Sequence, residues 1–246
     1  MTFLLLDYLV IGGVLCFTAF VNALVGFGFG ILGLPILFYL GYWDISLVPL
    51  LLYLSFYINC FLLYTHRSYL SQIPRPTYLL CGGALAIGPS FWVIHTFQVA
   101  YFQQFLGYGV LLLTLLLFFD FRMPFHLSRF YLIVVGFITG FFQACVAMSG
   151  PFLVFCLAQI KENPIVFKLR LILFYTVMNV FLVFFYIWQG YFSGSLLGAG
   201  TLLLPFIIIG LLLGRLVIGY ISDVFFRKVV LVLLFGISFL LLFGEF

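Results

Sequence analysis

Residues 22–35 read NALVGFGFGILGLP, an apolar stretch that alternating glycines divide in two. Glycine adopts backbone conformations that other residues avoid, so the stretch predicts a break between two helical pieces. The whole chain is 66% hydrophobic and only 7% charged, whereas an ordinary soluble domain is about 25% charged. A soluble fold of 246 residues could not bury so much apolar side chain. The break therefore lies in an integral membrane protein.

Long apolar runs recur along the chain, at 47–63, 107–119, 171–188, 196–213 and 229–243. Each comes close to the roughly 17–25 residues that cross a hydrocarbon core. The five cysteines lie in apolar segments without CxxC spacing, so we expect no disulfide, no metal site and no cofactor. The net charge of +4 comes mostly from short loops, which set topology rather than bind nucleic acid. We predict an all-α polytopic membrane protein with the lipid bilayer as its surroundings.

Two halves, residues 1–120 and 121–246, form one membrane domain and are related by an offset of about 120 residues. Each half opens with an apolar segment that small residues interrupt, GFGFG at 26–30 and AMSGP at 147–151. At this offset Gly30 falls on Gly150, and Asn59 falls on Asn179. We therefore predict two repeats, each a broken or re-entrant Gly-tipped helical segment plus three transmembrane helices.

The loop lysines and arginines distinguish eight plain spans from six spans with two re-entrant hairpins. Eight spans would put four basic residues on one side and five on the other, without a bias. A hairpin at each interrupted segment puts all nine on one face, which we predict to be cytoplasmic, with both termini outside. The alternative is a tilted, kinked helix in each half, with the charge pattern accidental. The nine residues are Arg67, Arg75, Arg122, Arg129, Lys161, Lys168, Arg170, Arg227 and Lys228.

An odd number of crossings per half makes the halves inverted copies, and broken helices that meet at the midplane are typical of transporters. Short helices that begin at Ile31 and Phe152 would direct their N-terminal N–H groups there, which favours an anion. No carboxylate or lysine is expected at the membrane centre, which disfavours a proton relay. The candidate substrate-binding residues are the tip residues and the buried amides: Asn22, Gly26, Gly28, Gly30, Asn59, Gln143, Ser149, Gly150 and Asn179. The competing interpretation is close helix packing at the glycines and interhelical hydrogen bonds at the amides.

The AMSG sequence at 147–150 is similar to the GxSG nucleophile loop of intramembrane serine proteases. A serine nucleophile needs a base, normally histidine, within hydrogen-bond reach. No histidine follows His126 in the chain, so we predict that the protein is not an enzyme and has no catalytic residues.

The duplicated layout, over essentially the whole chain, resembles the sulfite exporter (TauE/SafE) family of membrane permeases. The signatures are GFGFG followed by Pro35, and AMSGP, although family members usually carry longer glycine runs at both places. The resemblance implies export or uptake of small anions, such as sulfite, sulfonates (sulfoacetate) or related organic acids, across a cell inner (plasma) membrane. It also implies coupling to a proton or another ion, and it leaves open whether the protein is a homodimer. The alternatives are a non-transporting accessory membrane protein and an anion channel.

Overall fold

The computed structural model describes residues 5–42, 46–73, 76–96, 128–147, 150–158 and 164–218, with isolated positions in 107–119 and 231–242. All regular structure in these residues is helical, which confirms the predicted fold class. The helices are α1 (Leu5–Val25), α2 (Phe29–Tyr39), α3 (Leu47–Thr65), α4 (Thr77–Thr96), α5 (Arg129–Val146), α6 (Gly150–Ala158), α7 (Pro164–Trp188) and α8 (Gly194–Ile218), with a 3-10 helix at Arg67–Gln72. Six of them, α1, α3, α4, α5, α7 and α8, are long and apolar enough to cross a membrane. The predicted runs at 107–119 and 229–243 are described only at isolated positions, and Ser149 and several of the loop basics lie outside the described residues.

The first interrupted segment forms a helical hairpin. Helix α1 ends at Val25, and the chain turns through Gly26 and Gly28, whose φ angles are 85° and 111°. Positive φ is easily reached only by glycine, which explains why the break falls here. Helix α2 has 11 residues, and the Tyr42 hydroxyl beyond it donates a 3.0 Å hydrogen bond to the carboxylate of Asp7, near the start of α1. The chain therefore returns to the end of the molecule at which α1 began.

The second interrupted segment is built from different residues. Ser128 caps α5 by accepting a hydrogen bond from the Tyr131 N–H. The helix ends at Val146, and the C-cap residue Ala147 adopts a left-handed conformation with φ 53°. Helix α6 follows from Gly150 and has nine residues. Both short helices begin two residues earlier than the starts predicted at Ile31 and Phe152. Proline is tolerated in the first turn of a helix, so Pro151 does not delay the start of α6.

Helix pairs pack in a pattern that links the two halves of the chain. The most extensive contacts join α4 to α5 and α1 to α8, and α3 packs against α7. In the first two pairs the backbones approach at glycines, because a Cβ at Gly82 would overlap the Ile133 carbonyl oxygen and one at Gly210 would overlap that of Cys16. Small residues allow such close approach, which is how helices gain packing energy in lipid.

The prediction that Lys168 and Arg170 lie in a loop is wrong. Helix α7 begins at Pro164, because proline suits the first helical position. Both side chains are buried, with exposed fractions of 8% and 9%. Lys168 also lies within a candidate membrane span, Ile165–Trp188, near its start. The charge that was assigned to an aqueous loop is therefore inside the protein.

Candidate functional site

The two tips, residues 26–30 of the first interrupted segment and Ala147 with Gly150 of the second, pack directly against each other. A Cβ added at Gly30 would overlap the carbonyl oxygen of Ala147, and one added at Gly150 would lie 2.7 Å from the ring of Phe27. The 120-residue offset places Gly30 on Gly150 and Phe27 on Ala147. Each contact is thus the counterpart of the other when the two halves are exchanged. The absence of side chains at the two glycines allows this approach.

A small cavity of about 30 Å³ lies where the tips meet. This is enough space for roughly one or two water molecules. Ser55 and Tyr175 lie near the middle of α3 and α7, so the cavity is placed midway along two membrane-spanning helices. It is lined by Asn22, Phe27, Gly28, Phe29, Gly30, Ile31, Ser55, Asn59, Gln143, Ala147, Gly150 and Tyr175.

Four buried amides surround this cavity. Gln143 donates a 3.0 Å hydrogen bond from Nε2 to Oδ1 of Asn179, which lies behind the lining, and Asn59 donates a longer one, 3.4 Å, to the Ser55 hydroxyl. The Asn179 Nδ2 and the Asn22 Oδ1 are buried without a hydrogen-bond partner among the described residues. An unsatisfied buried amide group costs about 1–3 kcal/mol, so we expect water or a ligand to satisfy these atoms.

The start of α2 adds backbone donors to the cavity. The first hydrogen bond of this helix runs from the Leu32 N–H to the Gly28 carbonyl. The N–H groups of Phe29, Gly30 and Ile31 precede it and have no acceptor within the helix. These three residues line the cavity, as does Gly150 at the start of α6. Two helix N-termini, each with a partial positive charge, therefore meet at one place, which favours an anion.

Of the nine predicted site residues, six line the cavity and two described ones do not. Asn179 contacts the lining through Gln143. Gly26 lies outside it, against the side chain of Lys168, and Ser149 is outside the described residues. The six are Asn22, Gly28, Gly30, Asn59, Gln143 and Gly150. Their proximity is a structural finding, whereas their role in binding substrate stays a prediction.

The sequence reasoning missed Ser55 and Tyr175. The same offset pairs these two residues with each other, one helical turn before Asn59 and Asn179 respectively. Because side chains four residues apart share a face of a helix, each could have been assigned to the cavity together with its asparagine.

Lys168 was also missed as a neighbour of the site. Its ammonium donates a hydrogen bond to the carbonyl of Ala23, in the last turn of α1. Its side chain packs on the first tip, since a Cβ at Gly26 would lie 2.6 Å from the Lys168 Cγ. Spacings of seven and eleven residues put Lys168, Tyr175 and Asn179 on one face of α7, which is a signal that the sequence did contain.

Two interrupted helical segments whose tips enclose a polar cavity, midway along membrane-spanning helices, define a membrane transporter. A family model described as sulfite exporter TauE/SafE matches residues 10–241. The chain belongs to this family of multi-pass membrane transporters, which confirms the resemblance that the interrupted segments indicated. No curated protein and no solved structure matches the chain significantly.

Proposed function

We propose that the protein exports small anions, such as sulfite, sulfonates (sulfoacetate) or related organic acids, through the cavity between the hairpin tips. The observation that carries this proposal is the donor-rich lining: amides and two helix N-termini surround a cavity that no described carboxylate lines. An oxyanion accepts several hydrogen bonds at once, so it can satisfy the backbone N–H groups at both helix N-termini.

The strength of such binding suits transport. A helix N-terminus stabilises an anion by about 0.3–2 kcal/mol, depending on burial, and a hydrogen bond to a charged group contributes about 1.5–3 kcal/mol. After the cost of removing the anion from water, only a few kcal/mol remain. A dissociation constant between about 1 mM and 1 μM corresponds to about 4–8 kcal/mol. Partial charges can therefore hold the anion without trapping it.

Alternating access at a central site follows from the proposal that residues 1–120 and 121–246 are inverted copies. The reciprocal tip contacts, Gly30 with Ala147 and Gly150 with Phe27, support it. So does the helix packing, because exchanging the halves converts the contact of α1 with α8 into that of α5 with α4. In such an arrangement one half rocks against the other around a fixed site. We place the basic loops in the cytoplasm and the termini outside the inner membrane.

Flux measurements in proteoliposomes test this function. We expect purified protein to move labelled sulfite or sulfoacetate at a rate that saturates with concentration. A rate that rises linearly without saturating would instead indicate a channel, and vesicles that transport none of these anions would indicate an accessory protein. Either result would overturn the proposal. A thermal-shift screen with small anions supplies an independent measurement, since a bound ligand stabilises the folded protein.

A further inference from the structure

Lys168 is a buried cation with one polar contact among the described residues. Its side chain is 8% exposed, and the hydrogen bond to the Ala23 carbonyl is its polar contact among the described residues. A lysine ammonium has three donors, and no described carboxylate lies within ion-pair distance of this one. A buried charge ordinarily pairs with an opposite charge, because removing an ion from water costs several kcal/mol. Among the described residues, the Lys168 ammonium therefore has one acceptor for its three donors and no opposite charge beside it.

The Ala23 carbonyl is a weak substitute for an anion. Helix α1 ends at Val25. The Ala23 carbonyl is therefore one of the last four in the helix, for which the helix itself supplies no N–H donor. The C-terminus of a helix carries a partial negative charge of roughly half an electron. Lys168 thus donates to a carbonyl at the end of α1 that lacks a donor within the helix, and the partial negative charge there stabilises the ammonium.

This contact lies immediately beside the cavity. Ala23 follows Asn22, and Gly26 precedes Phe27, and both Asn22 and Phe27 line the cavity. On α7, Lys168 is seven residues before Tyr175, about 10 Å along the helix. Lys168 therefore joins α7 to the first hairpin, two of the elements that enclose the cavity, on the side towards the start of α7.

We propose that Lys168 is an anion-binding residue of the transport route, at the mouth of the cavity that opens towards the basic loops. This inference rests on the proposed transport function. Separation of α7 from the first hairpin opens that mouth and breaks the bond to Ala23. The ammonium then exchanges the carbonyl for the substrate anion, which carries a full negative charge. Lys168 in this way both closes the mouth and sets the affinity for anions there.

The test compares concentration dependences of labelled sulfite transport in proteoliposomes for the wild type, Lys168→Met and Lys168→Arg. We expect Lys168→Met to raise KM by about 10- to 100-fold, the loss of a charged hydrogen bond. Lys168→Arg keeps the charge, so its KM should stay within a few-fold of the wild type. Lys168→Gln replaces the methionine variant if the latter does not fold.

Arg215→Met is the matched control, because it removes a cation at the same level of the molecule. Arg215 is exposed on α8, and its neighbour Gly214 is so close to Ala23 that an added Cβ would lie 2.5 Å from the Ala23 Cβ. We expect its KM to be unchanged, and an equal rise in both variants would mean that general surface charge is responsible. An unchanged KM in Lys168→Met with lowered thermal stability would show a purely structural lysine and overturn the inference. The same holds if neither neutral variant folds while Lys168→Arg does. A wild type that transports no anion contradicts the proposed function instead.

Discussion

The two hairpin tips meet at one cavity but are held by different chemistry. At the first tip, two glycines with positive φ make the turn, and Lys168 of α7 binds the end of α1 through a carbonyl. At the second tip, Ala147 has a positive φ at the end of α5, and Gln143 binds Asn179 of the same helix α7 through a neutral amide pair. One helix thus holds both hairpins, with a charge in one case and an amide in the other.

This difference indicates which tip is better suited to move. A neutral amide pair in a low-dielectric interior has no better partner available when it breaks, so it favours one fixed arrangement. A buried ammonium that is hydrogen-bonded only to a carbonyl is stabilised further when an anion or water reaches it, because part of its desolvation cost is then offset. Two tips with related backbone geometry can therefore be held by hydrogen bonds that differ in how easily they break. Substitutions at the two tips distinguish a shared backbone geometry from a difference in side-chain chemistry.

The largest effect is expected for Gly30→Ala, because the new Cβ would overlap a backbone carbonyl, that of Ala147, which a side-chain rotation cannot move. We expect destabilisation by about 3 kcal/mol or more, measured by thermal or denaturant unfolding in detergent, together with loss of transport. Gly33→Ala in the same helix is the control, since its Cβ would be 3.5 Å from Leu51. That variant should be neutral or more stable by up to about 1 kcal/mol, and equal effects at both positions would contradict direct packing of the tips.

Gly150→Ala tests the counterpart contact. Its added Cβ would meet the ring of Phe27 at 2.7 Å, and a ring can rotate where a carbonyl cannot. We expect destabilisation of about 1–3 kcal/mol, the usual range for overpacking, and smaller than that of Gly30→Ala. Combining Gly150→Ala with Phe27→Leu should restore part of the stability. If the double variant is no more stable than Gly150→Ala, the contact with Phe27 is not responsible.

Asn179→Ala removes the amide partner of Gln143 and an unsatisfied donor beside the cavity. We expect anion affinity to fall by about 10-fold, equivalent to about 1.4 kcal/mol, in a thermal-shift titration with sulfite. Asn59→Ala should also lower the affinity for sulfite. The control is Thr139→Val. Thr139 is a buried polar residue one helical turn before Gln143, and its hydroxyl donates a hydrogen bond to the Val135 carbonyl. A loss of affinity in the control as large as in Asn179→Ala would remove the case for the amides as ligands.

The smallest effect is expected at the open end of the first hairpin, for Tyr42→Phe. This change deletes the hydrogen bond to Asp7, and we expect slightly lower thermal stability at neutral pH with transport retained. The hydrogen bond to Asp7 raises the pKa of the Tyr42 hydroxyl above its ordinary value. The stability that this hydrogen bond contributes is therefore present at pH values below the ordinary tyrosine pKa, and it is lost as the pH rises through the raised pKa. Cysteines placed at 7 and 42, with the native cysteines replaced, should react with a membrane-impermeant reagent from the same side. Reaction from opposite sides would rule out a re-entrant first hairpin.

Much of the fold could be predicted from local sequence. Membrane spans depend on the length and hydrophobicity of a run, and the turn at Gly26 and Gly28 depends on backbone freedom. The offset that pairs Asn59 with Asn179 also predicted that both lie near one place: Asn59 lines the cavity, and Asn179 contacts its lining through Gln143. The predicted helix starts were less accurate. The helix that begins at Gly150 was predicted to start two residues later, and the first residues of the helix that begins at Pro164 were predicted to lie in a loop.

By itself, the sequence determined that the chain is a helical membrane protein with two interrupted segments, because these properties follow from composition and from residues close together in the chain. The tertiary structure alone decided that the two tips touch, since the contact of Gly30 with Ala147 joins residues far apart in sequence. It also decided that Lys168 is buried on the first hairpin rather than solvated in a loop. The reason is physical: the environment of a charge depends on which distant helix covers it, and the net charge of a loop carries no such information.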